Sequence, residues 1–152
     1  MFTIEKKMQE DLEHYITQNN SNLLSAIFID ADRFKMINDN YGHDTGDRVL
    51  QFLADILKEH CHYLNGEVYR YGGEEFVIFA FLPKGEIIKK SNDLKNAVKS
   101  KRVFYKNNDI FLTVSIGISF YSDINDKNML LQKADEAVYE AKRQGRDTIV
   151  YV

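Results

Sequence analysis

Two adjacent glycines set between strand-like stretches constrain this chain more than any other feature. The segment Arg70-Tyr71-Gly72-Gly73-Glu74-Glu75-Phe76 joins residues 68–71 to the apolar run 76–82. A Gly-Gly pair in that setting predicts a tight hairpin, its glycines supplying positive φ and letting a bulky ligand approach the backbone. A carboxylate held on such a turn suits a hard divalent cation, which prefers oxygen ligands. Taken alone, the segment reads equally well as an exposed turn followed by two solvated glutamates. A second acidic element upstream favours the first reading. Residues 23–29 are apolar and read as a buried strand, and Asp30 stands where that strand ends. Ligands gather at the carboxyl ends of strands, and acids buried there are costly without a cation or donor. Asp30 and Glu74 are therefore predicted to share a metal, as in nucleotidyl-transfer sites where Mg²⁺ orients phosphates.

The rest of the chain alternates between helical and strand periodicity. Helices are predicted over 3–18, near 33–40, over 45–60, from about 86 to 99 and over 127–144, with strands at 110–120 and 148–152. In 110–120, Ile110, Leu112, Val114, Ile116, Ile118 and Phe120 share one side. Thr113, Ser115, Gly117 and Ser119 share the other, the pattern of a half-covered strand. The sum is one α+β domain. At 152 residues it is long enough to bury a substantial core.

Cys61 is the single cysteine, which argues against a disulfide framework and for a reducing compartment; it reads as structural. Cys61 and His62 lack the further ligands of a zinc set. No apolar run approaches the roughly 20 residues that span a bilayer, and no signal peptide is visible. The expectation is a cytoplasmic domain without membrane contact. A net charge of −3 offers no global field for a nucleic acid polymer, so an anionic substrate would rely on local cations and a metal.

Four blocks in order resemble the GGDEF domain, the diguanylate cyclase family that condenses two GTP into cyclic di-GMP and two pyrophosphates. They are Gly72–Phe76 in its GGEEF form and the block from Asp30 to Asp47, similar to D-x-D-x-F-K-x-I-N-D-x-x-G-H-x-x-G-D. The others are Val114-Ser115-Ile116-Gly117-Ile118, and Ala134-Asp135 through Tyr139, Ala141-Lys142 and Gly145-Arg146. The resemblance implies a polymerase-palm, ferredoxin-like fold with a central, mostly antiparallel sheet flanked by helices. It implies that Asp30, Glu74 and the main-chain carbonyl of Ala31 hold Mg²⁺ or Mn²⁺, and that Asn38 and Asp47 read guanine. It assigns Lys142 and Arg146 to the triphosphate, assisted by main-chain N–H groups around Arg33 and Phe34. On the same resemblance Lys35 would stabilise charge during transfer, and Glu75 is the candidate base for the attacking 3′-hydroxyl or a further metal ligand. Asp47 favours GTP over ATP. Each domain supplies half of an active site, so catalysis requires a homodimer, normally promoted by an attached sensory or dimerising domain.

Local structure offers competing roles for several of these residues. Asp30 could cap the following helix, and Asp32 could be the N-cap of a helix beginning near Arg33. Asp44-Thr45-Gly46-Asp47 looks like an N-cap with an acid at the third helical position. Lys142 and Arg146 lie four apart, on one face if their helix extends that far, and otherwise suit a cationic last turn before a Gly145 cap. His43 reads as a loop-fixing residue. The chain also departs from the family pattern. Tyr63-Leu64-Asn65-Gly66 stands where an inhibitory R-x-x-D would end, so product inhibition there is expected to be absent. The D-x-L-T-G-L-x-N-R wing is not found, which predicts a single domain over 1–152 lacking wing and sensory domain. The alternative function is a catalytically silent GGDEF domain that binds GTP or a protein partner.

Overall fold

The computed structural model describes residues 4–152, and Thr3, where the first helix is predicted to begin, lies outside them. A helix α1 (Ile4–Tyr15) precedes strand β1 (Leu24–Ala31), then helices α2 (Phe34–Tyr41) and α3 (His43–Leu64). Strands β2 (Gly66–Arg70) and β3 (Glu75–Phe81) form the hairpin, followed by α4 (Lys84–Ser100). A small hairpin of β4 (Arg102–Tyr105) and β5 (Asn108–Phe111) leads into β6 (Val114–Phe120). A short helix α5 (Tyr121–Ile124), the helix α6 (Lys127–Arg143) and β7 (Ile149–Tyr151) complete the chain.

The main sheet has the order β2-β3-β1-β6-β7, antiparallel except for the β6–β7 pair. This is the α+β, ferredoxin-like architecture expected. β1 is central, and all eight of its residues are buried, as a strand covered on both faces must be. Ile27 and Ile29 enter a core with Val49, Leu53 and Leu57 of α3 and Leu94 of α4. Ala26 and Phe28 face the opposite core, with Met8 and Leu12 of α1 and Leu130 and Val138 of α6. The named positions in α1, α3 and α6 are four or eight apart, which sets them on one apolar stripe of each helix, facing its side of the sheet. Helix α1 is also tied to the sheet by the Tyr69 hydroxyl, which donates to Asp11 at 2.5 Å.

Three expectations change. The predicted strand 110–120 is two strands separated by Leu112 and Thr113, and β5 pairs with β4 rather than with the main sheet. Nor is β6 half-covered: Ser115, Gly117 and Ser119 are buried beneath α6. A Cβ added at Gly117 would meet the Ala134 carbonyl oxygen at 2.2 Å and the Val138 nitrogen at 2.3 Å. The small residues are there so that a helix backbone can lie on the strand. Finally, neither Gly72 nor Gly73 adopts positive φ. Their turn closes through the Glu75 carbonyl, which accepts from the N–H groups of Tyr71 and Gly72 at 2.8 and 3.2 Å.

Candidate active site at the end of the central strand

Antiparallel register sets Asp30 of β1 directly opposite Glu75 of β3 on one side and Ser115 of β6 on the other. One residue further on, the Ala31 N–H donates to the Glu74 carbonyl at 3.2 Å, which fastens the Gly-Gly turn to the end of β1. The two acidic elements thus meet. Asp30 is 4% exposed. Its Oδ2 accepts from Lys142 Nζ of α6 at 2.8 Å, while its Oδ1 is buried with no protein partner. Burial pushes the Asp30 carboxyl above its ordinary value; Lys142 opposes that, and Glu74 and Asp32 add to it. Glu75 is raised as well, first by burial and then by Asp30, Asp135 and Glu74. Carboxylates held this close in a protected setting favour a cation.

Arg70 also belongs to this site, though motif reasoning passed over it. Its guanidinium donates to the Gly72 carbonyl at 3.3 Å and to the Gly73 carbonyl at 3.2 and 2.7 Å. An arginine at the end of a strand, two residues before a Gly-Gly pair, is the signal that could have revealed it. Arg70 and Asp47 line the same cleft of about 350 Å³ with Leu50, Gln51, Ala54 and Phe76. Asn38 reaches this neighbourhood from α2. A Cβ at Gly46 would fall 1.8 Å from Asn38 Oδ1, so glycine there leaves room for the carboxamide where it stands. Asn38 of α2 thus lies against Gly46 of α3, the residue before Asp47.

Of the competing local roles, the cationic last turn before a Gly145 cap is present, and the aspartate caps are not. Asp32 does not cap α2: Arg33, at φ 54°, occupies the N-cap position. Instead the buried Asp32 carboxylate accepts from Thr113, Ser115 and the Asp147 N–H at 2.7, 2.6 and 3.1 Å. Asp30 caps no helix either. Helix α3 begins at His43 with Gly42 as N-cap, so Asp44 lies within its first turn and Asp47 one residue beyond it. His43 is exposed as the first residue of that helix. Lys35 is exposed in the first turn of α2, next to the buried Phe34. Lys142 and Arg146 do not share a helical face, because α6 ends at Arg143. The Gly145 N–H donates to the Lys142 carbonyl and the Arg146 N–H to the Ala141 carbonyl, the paired bonds of a Schellman motif. Cys61 is buried, its thiol pushed up to about 12, as a structural residue should be.

The profile of the family described as "Diguanylate cyclase, GGDEF domain" matches residues 3–148. The chain belongs to the GGDEF family. Among its relatives, "Diguanylate cyclase A" of Treponema denticola is 38% identical over 150 residues, covering 91% of this chain and 38% of that protein. "Diguanylate cyclase DosC" of Escherichia coli is 36% identical over 128 residues, covering 83% of this chain and 28% of that protein. The chain thus spans well under half the length of these two relatives. The solved GGDEF domain of PA1120 (YfiN or TpbB) from Pseudomonas aeruginosa superposes with a TM-score of 0.88 at 28% identity, covering 96% of this chain and 93% of that one. The active GGEEF domain of a diguanylate cyclase from Vibrio cholerae gives 0.73 at 31% identity, covering 84% and 81%. This GGDEF domain shares their fold, and among its described residues no helix is long and apolar enough to cross a membrane.

Proposed function

We propose that this GGDEF domain is the catalytic part of a diguanylate cyclase, joining two GTP into cyclic di-GMP with release of two pyrophosphates. The observation that carries the reading is the end of β1, where the buried, unpartnered Oδ1 of Asp30 lies beside the turn bearing Glu74 and Glu75. Among the described residues no three His, Cys, Asp or Glu side chains are placed to hold an ion together. Two carboxylates completed by a main-chain oxygen fit what is present. Asp30, Glu74 and the Ala31 carbonyl would hold Mg²⁺ or Mn²⁺, which when bound offsets phosphate charge and orients the reacting phosphate.

The remaining roles are those the family resemblance implies, and side-chain chemistry is compatible with each. Asp47 accepts from the N1–H and N2–H₂ edge of guanine, and Asn38 adds hydrogen bonds beside it. Lys142, Arg146 and the free N–H groups in the first turn of α2, around Arg33 and Phe34, neutralise the triphosphate. Lys35 stabilises charge that develops in transfer. The 3′-hydroxyl oxygen of one GTP bonds to the α-phosphorus of another, the bond to the β-phosphate oxygen breaks, and pyrophosphate leaves. Glu75, whose raised proton affinity suits a base, takes the hydroxyl proton. Positioning and electrostatics carry most of the acceleration. One domain holds one GTP, so two copies must face each other, brought together in the cytoplasm by a sensory or dimerising region.

The test is incubation of concentrated protein with GTP and Mg²⁺ or Mn²⁺, with products resolved by chromatography and mass detection. Wild type is expected to give cyclic di-GMP, and Glu74→Gln none while folding normally. Normal turnover by Glu74→Gln would sink the two-carboxylate metal site. Silence of the wild type, even fused to a constitutive dimeriser, would leave a GTP-binding module instead.

A further inference from the structure

Past α6 the chain adopts a backbone that its sequence does not favour. Arg146 and Asp147 follow each other at φ 67° and 47°, and neither is glycine. Left-handed residues of this kind persist only where the surroundings over-determine them, and they concentrate at functional sites. Here the constraints come from three directions. The Arg146 N–H is spent on the Ala141 carbonyl at 3.1 Å, which closes the end of α6. Lys99 and Lys95 of α4 reach the Asp147 carboxylate at 2.7 and 3.5 Å. From beneath, the Asp147 N–H donates to Asp32 Oδ2.

Asp32 is 5% exposed, and hydrogen bonds from neighbouring elements already engage both of its oxygens. Ser115 takes Oδ1, while Thr113 and the Asp147 amide share Oδ2. A carboxylate so engaged has little left to offer a cation, although it lies only two residues from Asp30. We propose that Asp32 is a positioning residue for Arg146: it anchors the left-handed pair to the ends of β1 and β6 and thereby fixes where the guanidinium sits. The inference rests on the reading of Arg146 as a contact to the triphosphate.

A double-mutant cycle tests it, with GTP affinity measured by calorimetry in Mg²⁺. Asp32→Ala is expected to weaken GTP binding about tenfold in the wild-type background and less than about twofold when Arg146→Ala is already present. Hydrogen exchange of the Asp147 amide should accelerate in Asp32→Ala and stay slow in Arg146→Ala. Asp32→Asn keeps an acceptor for that amide while removing the charge, so it should bind GTP within about threefold of wild type. If Asp32→Ala does not fold, Asp32→Asn with and without Arg146→Ala completes the comparison. An equal loss in both backgrounds, an unaltered Asp147 exchange rate, or an Asp32→Asn as weak as a removed metal ligand would overturn the proposal. If instead Arg146→Ala binds GTP as tightly as wild type, the phosphate reading fails at its root and the proposal with it, an outcome separable from additive losses.

Discussion

At Asp30, stability and the proposed chemistry conflict. Its carboxyl is raised by burial, despite Lys142, so the folded chain holds a proton there more readily than the unfolded chain. The stability that Asp30 contributes is then fully present below the ordinary carboxylate value and is lost as pH rises through the raised folded value. Near neutral pH the ionised side chain is a net cost to the metal-free fold. Asp30→Asn is accordingly expected to raise the melting temperature of metal-free protein near neutrality, with the gain shrinking in acid, while turnover disappears. Thermal melts across pH with and without Mn²⁺ check both halves. Asp47 behaves oppositely. It lies beyond the first turn of α3 and is exposed, where helix-dipole and capping effects have faded. Asp47→Ala should leave stability within about 0.5 kcal/mol and weaken GTP binding by about 1–3 kcal/mol, read by denaturation and titration of the same samples.

Elements rather than single residues decide where Lys142 stands. Helix α6 rests on β6 at Gly117, with no space for a methyl group between the two backbones. Gly117→Ala should cost about 1–3 kcal/mol in chemical denaturation through overpacking, and it should also lower GTP affinity because α6 carries Lys142. Arg70→Lys makes a comparable test of the other side of the site: a point charge cannot span the Gly72 and Gly73 carbonyls as the guanidinium does. Its expected outcome is normal stability with reduced turnover at saturating GTP. Much of this layer was legible beforehand. Periodicity identified β1, α3, β3 and α6, and the acidic blocks at Asp30 and Glu74 did meet. What escaped had physical causes. Lys106 and Asn107, at φ 49° and 65°, make the two-residue turn of the β4–β5 hairpin, but the strict alternation from Ile110 onward hid the break at Leu112 and Thr113. Ser115, Gly117 and Ser119 looked polar when their smallness was the message. Asp32, read as a cap, instead bonds to Thr113, Ser115 and Asp147, partners far along the chain that local spacing cannot reveal.

For the whole molecule, the proposed chemistry needs two copies, so output per molecule should climb with protein concentration. Specific activity measured across a dilution series is expected to rise toward a plateau, and a fused dimeriser should flatten the curve. A flat series without the fusion would mean a preformed dimer or a different reaction. Strand order has a further consequence, felt before any GTP arrives. β1 is apolar but for Ser25 and Asp30 and pairs with β3 on one edge and β6 on the other. On the ribosome it emerges long before Val114–Phe120 are made, leaving a sticky strand with an open edge through most of synthesis. The same central placement that gathers the catalytic groups makes the nascent chain a client for chaperones until β6 closes the gap.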